Sequence, residues 1–300
     1  MSPSLKLGMP DGTVGWAVES PEAARDSIHR RPFNIRHELH NNELFSLDAL
    51  RVLSSEIQLR PEDFYFDAGP VSISDRWGAI PVPKISLPEL IGQMETSDAW
   101  IIMKHVEKNP RYGAVLNEFA EFIWGVLGPD MARMLQNPEM LVIINSPNRI
   151  TPLHFDAEIN FLIQVAGNKS VWVCDPTDRS VVSERDLERY YSYSDFGTYR
   201  PIAEEKAVRY TLAPGEGIHI PTHGAHWVRN GTCVSVSLSL NFEFPTWVHR
   251  DFYRANNFLR KMGLSPQPRG VRPVMDRMKS ASVGAVDYGR VVTKRVLRRV

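Results

Sequence analysis

Cysteine is almost missing from this chain. Only Cys174 and Cys233 occur in 300 residues, which excludes a disulfide framework and leaves no C-x-x-C metal or redox pair. Each lies in an apolar, strand-like run, so both read as buried free thiols in a reducing cytoplasm. Net charge is also absent. Lys+Arg and Asp+Glu both number 35, so no global field draws the chain to nucleic acid or to an anionic membrane. Nucleic acid is therefore not an expected partner. Long apolar runs are lacking. Met1 to Gly8 carries no leader-type hydrophobic region, and Met140 to Asn145 is far too short to span a bilayer, so neither a secretory leader nor a transmembrane segment is expected. Internal repeats, low-complexity tracts, a glycine-rich phosphate loop and a nucleophile elbow are not found.

What remains is a chain with 43% hydrophobic residues, enough for a large core. Residues 1–95 read as helices and irregular links. Ser46 precedes Leu47, Leu50, Leu53 and Ile57 at helical spacing, and Ser86-Leu87-Pro88-Glu89 is a capping box. Asp98 to Met103 reads as a buried strand and Gly113 to Val126 as an amphipathic helix. From Met140 short apolar runs follow one another: Met140 to Ile144, Asn160 to Ala166, Ser170 to Cys174, Ala207 to Leu212, Gly217 to Ile220, His226 to Arg229 and Cys233 to Phe244. Gly167-Asn168, Pro214-Gly215 and Asn230-Gly231 punctuate them. Many short strands with turns at this spacing predict a sandwich or barrel.

His154-Phe155-Asp156 places an imidazole and a carboxylate two residues apart, on one face if the segment is a strand. A third ligand must come from elsewhere, and His219, His223 and His226 compete for that role. Two histidines and one carboxylate leave open positions on a metal, as non-haem iron(II) oxygenases require. The tripeptide alone is a weak signal in a chain with 9 His and 35 acidic residues.

The surroundings are more specific. Thr151, His154, Asp156, Asn160, Lys169, His226 and Asn241 together resemble the JmjC and cupin-like iron(II)/2-oxoglutarate oxygenases. The closest likeness is to the subgroup of the asparaginyl hydroxylase that acts on hypoxia-inducible factor. The resemblance covers residues 140 to 244 and is weaker at Pro32 to Arg36. It implies a mainly β fold, a double-stranded β-helix or jelly roll with flanking helices. It implies Fe(II) on His154, Asp156 and His226, with O2 as co-reactant. It also implies 2-oxoglutarate held by Thr151, Asn160, Lys169 and Asn241. One departure is His223-Gly224-Ala225, where the family often has a Trp pair; the pocket wall is smaller there and His223 becomes a candidate substrate residue.

Three parts are expected: a helical extension over 1–95, the barrel over 96–250 and a helical tail over 251–300. The connection from Asp175 to Glu205 is long for a compact domain and rich in tyrosine, so Tyr191 and Tyr193 are candidates for gripping substrate at the open side of the metal site. Residues 290–299 alternate arginine and lysine with apolar residues, and two copies of the chain are expected to pair through the C-terminal helices. The expected activity is hydroxylation of a protein or peptide side chain, or of an amino-acid-like small molecule, with N-demethylation the lesser expectation. The competing reading is a non-catalytic cupin-like binding or regulatory protein.

Overall fold

The computed structural model describes residues 15–57, 60–76, 84–243 and 247–283. The basic stretch at 290–299 lies outside them. Twelve strands are present among the described residues: β1 Trp16–Val18, β2 Phe33–His37, β3 Phe64–Ala68, β4 Ala99–Met103, β5 Gln136–Asn145, β6 Ile150–His154, β7 Ile159–Ala166, β8 Lys169–Val173, β9 Val208–Leu212, β10 Glu216–Ile220, β11 His226–Asn230 and β12 Ser235–Glu243. Eight form one antiparallel sheet in the order β1-β2-β10-β7-β12-β5-β4-β3, and four form a second in the order β6-β11-β8-β9. Of β5 to β12, β5, β7, β10 and β12 lie in the large sheet and β6, β8, β9 and β11 form the small one. That is the jelly roll expected from the sequence.

β7 explains how the layers face each other. It is buried on both sides. Phe161, Ile163 and Val165 belong to a core on the outer face of the large sheet, whereas Leu162 belongs to a separate cluster with Val171, Val173, Leu212, Ile218, Ile220 and Val228. These latter residues come from both sheets and fill the space between them. The outer core is completed by α2 (Leu47–Ile57), α3 (Leu87–Gly92) and α4 (Pro110–Leu127), following α1 (Pro21–Ser27). Ser86 does close the capping box on α3.

The N-terminal segment is not only helical. β1 and β2 extend the large sheet beyond β10, and β3 extends it beyond β4. Their alternation is short, three to five residues, too little for a period-two signal to stand out. Cys174 is buried as expected, but Cys233 is exposed. Its apolar run begins with the turn between β11 and β12, so the thiol precedes the first paired residue.

The residues divide into two compact units: the described residues up to 177 with 199–243, and 178–198 with 247–283. The barrel lies in the first, with α5 (Pro129–Ala132) and α7 (Ile202–Lys206). The second contains α6 (Glu184–Tyr193), α8 (Trp247–Lys261) and a helix over 273–283. The long connection from Asp175 therefore contains α6 and the start of α7 rather than being an open loop throughout. Ser183 caps α6 with a second capping box. The helix is highly charged, and its apolar residues are mostly tyrosines, which sequence composition alone assigns equally to loops. No described helix is long and apolar enough to cross a membrane.

Candidate metal and dicarboxylate site

His154 is the last residue of β6 and His226 the first of β11, and the two are cross-strand partners. Their rings are 4.1 Å apart between centroids. The Nδ1 of His154 lies 2.8 Å from the carbonyl of Pro152, and that of His226 2.9 Å from the carbonyl of Gly224. A carbonyl can only accept, so each Nδ1 carries the proton and each Nε2 offers a lone pair. Burial, then the neighbouring His226, lowers His154 to about 4, so its ring is neutral and able to ligate at pH 7. Asp156 Oδ2 lies 3.7 Å from His226 Nε2. One ligand atom from each of the three residues lies within 4.8 Å of the others.

Asp156 does not reach this position by strand alternation. β6 ends at His154, and Asp156 sits in the following turn, where its carbonyl accepts from the His223 N–H at 2.8 Å. His223 itself has φ 64, a left-handed conformation that turns the chain back toward Asp156. The Asn160 Nδ2 donates to Asp156 Oδ2 at 3.3 Å, while Asn160 Oδ1 is buried with no hydrogen-bond partner.

Thr151 lies three residues before His154, so on a regular strand the two would face opposite sides. A bulge corrects this. His226 pairs with His154 and Val228 with Thr151, so β6 carries one extra residue between them. Both side chains then face the interior. Pro152 within the strand was a usable signal, since proline inside a strand marks a bulge or an edge. The Thr151 hydroxyl makes no hydrogen bond among the described residues.

Lys169 opens β8 and shares its inner face with Val171 and Val173. Val173 pairs with His226, and Lys169 with Asn230 four residues further along β11, so the lysine Cα stands about 13 Å along the same sheet face from the histidine row. Lys169 is 3% exposed and forms no ion pair or side-chain hydrogen bond among the described residues. Its neighbour Asn230 is already engaged with the Ser146 carbonyl and the Ser235 hydroxyl. Burial lowers the ammonium to about 7.

Asn241 faces Asn160 directly across β12 and β7, and its Oδ1 accepts from Ser239 at 2.9 Å. Sequence reasoning missed two further carboxylates. Glu139 lies opposite Asn241 on β5, and Glu158 stands two residues from both Asp156 and Asn160. Burial, then the charge of Asp156, raises Glu158 to about 7. Even spacing through 156, 158 and 160 was the available clue.

Two competitors for the third ligand are placed elsewhere. His219 faces the outer core between Phe33 and Phe161, with ring centroids 4.8 and 5.0 Å away. His223 contributes its backbone, and no metal cluster among the described residues includes its side chain. Tyr191 and Tyr193 lie on α6 in the second unit. Tyr191 stacks on Tyr253 at 5.5 Å, and Tyr193 accepts from Asn257 at 2.9 Å; both are engaged with α8.

The residues fit a divalent metal and a small dicarboxylate. The triad supplies two neutral nitrogens and an oxygen, a donor set typical of iron(II). The buried ammonium of Lys169 and the Thr151 hydroxyl are donors with no partner among the described residues, and a carboxylate is an acceptor that suits both.

No protein-family model matches the chain. Among solved structures, the X-ray structure of E. coli ycfD is similar with a TM-score of 0.53 and 18% sequence identity, over 88% of this chain and 66% of that one. YcfD, described as a ribosomal oxygenase from Escherichia coli in complex with cobalt and 2-oxoglutarate, aligns with a TM-score of 0.47 and 16% identity, over 88% and 65% of the two chains. The chain thus spans just under two-thirds of the length of the E. coli protein. At such identity the similarity establishes the fold.

Proposed function

We propose that this chain is an iron(II)- and 2-oxoglutarate-dependent oxygenase that hydroxylates a protein or peptide side chain, or an amino-acid-like small molecule. The observation that carries the reading is the occurrence, at one interior sheet face, of a His-Asp-His cluster and a buried lysine that has no anionic partner among the described residues. His154, Asp156 and His226 would hold the metal. Lys169 and Thr151 would hold the distal carboxylate of 2-oxoglutarate, with Asn160 and Asn241 beside the metal-proximal end. Membership of the asparaginyl hydroxylase subgroup, supported by the polar offsets in the sequence, and a cytoplasmic location belong to the same proposal.

When bound, iron(II) supplies the oxidising chemistry with O2: 2-oxoglutarate becomes succinate and carbon dioxide, and one oxygen atom enters a substrate C–H bond. The protein's own part is positional. The Pro152 and Gly224 carbonyls fix the imidazole tautomers, and Asn160 steadies the Asp156 carboxylate. Leu162, Val171, Val173, Ile218, Ile220 and Val228 line the interior with apolar surface and exclude water. Lys169, protonated when an anion arrives, anchors it through a charge-assisted pair in a dry site. A non-catalytic scaffold would have no use for that ammonium. His223, whose backbone holds Asp156, is proposed to border the substrate.

The test is Lys169→Ala. Loss of a charge-assisted bond in a buried site should weaken 2-oxoglutarate binding to manganese-loaded protein by roughly 30- to 1,000-fold, about 2–4 kcal/mol. Equal affinity in calorimetry would place the carboxylate elsewhere.

Pairing of two copies is proposed through the second unit, where Phe258, Met262, Val274 and Met278 are each at least 60% exposed. An isologous contact would cover this apolar surface on both copies. Met278→Glu should then shift the mass measured by light scattering from dimer to monomer; a monomeric wild type would contradict it.

A further inference from the structure

The second unit contains a cavity of about 410 Å³ lined by Arg179, Glu184, Tyr253, Arg269, Asp276 and Arg277, with Gly270 and Pro273 at its edge. Nothing in the oxygenase reading uses it. Its charges are unevenly spent. Arg179 Nε pairs with Glu184 at 2.8 Å. The Asp276 carboxylate accepts from the Gly270 N–H at 2.8 Å. Arg269 and Arg277 form no ion pair or side-chain hydrogen bond among the described residues, so two guanidiniums face the cavity unneutralised. Tyr253 is 3% exposed, and its hydroxyl lies within the fields of Glu184, Arg179 and Arg269. Burial and Glu184 hold it protonated, with the group raised to about 12.

We propose that this cavity binds the phosphoryl group of a small phosphate monoester. The three arginines arise from separate places: the segment before α6, the turn before the helix over 273–283, and the first turns of that helix. Donors arriving from separate directions suit the three oxygens of a tetrahedral phosphoryl group better than the two coplanar oxygens of a carboxylate. Lining that carries three guanidiniums against two carboxylates keeps a net positive charge for the anion. The Tyr253 ring supplies an apolar wall for an organic substituent, and the volume admits a small molecule. Free phosphate shares the recognised chemistry but leaves that wall bare.

The experiment titrates the full chain with phenyl phosphate, inorganic phosphate and succinate, by calorimetry at low salt, in wild type, Arg269→Gln, Arg277→Gln and Arg277→Lys. Saturable binding of phenyl phosphate is expected. Each glutamine variant should weaken it about tenfold, and Arg277→Lys less, with inorganic phosphate weaker than the ester. Unaltered melting temperatures of the unliganded variants verify that they fold. Lys169→Ala should leave the phenyl phosphate affinity unchanged, which separates this site from the interior one. The proposal is overturned if phenyl phosphate does not bind, if its affinity survives both glutamine substitutions, or if succinate binds the same arginines more tightly. Equal affinity of inorganic phosphate and the ester would overturn the monoester assignment.

Discussion

Lys169 buries an ammonium against valine side chains, where only a bound anion would compensate its lost hydration. Burial holds it at about 7, below the ordinary lysine value of 10.5. Above 10.5 the amine is neutral in both folded and unfolded chains and burial carries no charge penalty. As pH falls from 10.5 to about 7 the unfolded chain takes up the proton first, and the native state loses on the order of a few kcal/mol. Lys169→Met should therefore raise the ligand-free stability at pH 7, and the advantage should shrink as pH rises toward 10.5. Urea midpoints of wild type and variant across that range measure it; a constant offset would mean that the lysine is already paired. The same variant should lose the thermal stabilisation that 2-oxoglutarate gives the wild type. This residue was legible only through the offsets of the family resemblance. By itself a lysine after Gly167-Asn168 reads as an exposed hairpin residue, and only the pairing of β8 with β11 and β9 turns it inward.

Elements were read better than their edges. The run of strands from Met140 was visible because apolar stretches alternate with glycine, proline and Asn-Gly turns. The strands β1 to β3 were too short to show a period, and α6 was hidden by its charge and tyrosine content. Asp156 was expected on the metal strand, but β6 ends at His154; the carbonyl of Asp156 is claimed by His223 instead of a strand partner. The bulge in β6 is an element-level device that strict alternation would have ruled out, because it brings Thr151 onto the face of His154. The turn that carries the chain from β7 in one sheet to β8 in the other gives a direct test. Gly167 has φ +67, and a Cβ there would lie 2.6 Å from the Val234 carbonyl oxygen. Gly167→Ala should destabilise the fold by about 1–3 kcal/mol. Because Lys169 is two residues away, the variant should also weaken 2-oxoglutarate binding. Wild-type affinity in a destabilised Gly167→Ala protein would show that the turn does not set the lysine.

At the scale of the whole molecule, several histidines are held in neutral form, His37, His154 and His219 buried and His29 partly buried. Burial lowers His29, His37 and His154 from 6.5 to about 4, and His219 to about 3. Above pH 6.5 they carry no penalty. As pH falls toward 4 the unfolded chain binds protons that the folded chain resists, so stability is lost across that window. Chemical denaturation from pH 7 to pH 4 should show a steep decline, partly relieved by His219→Phe, which keeps the packing against Phe33 and Phe161. A flat profile would show that these imidazoles are solvated. The jelly roll followed from the order of its strands, whereas the division into two units did not, because the second unit draws on two separate stretches of chain.

The central claim, that the interior joins a metal to 2-oxoglutarate, is tested most directly by titrating 2-oxoglutarate calorimetrically into the protein with and without manganese(II), alongside His154→Ala and Asp156→Ala. The account predicts one metal ion per chain, saturable 2-oxoglutarate binding that is tight only when the metal is loaded, and loss of both in the two variants. Metal-independent binding of equal strength, or manganese retained unchanged by Asp156→Ala, would contradict it.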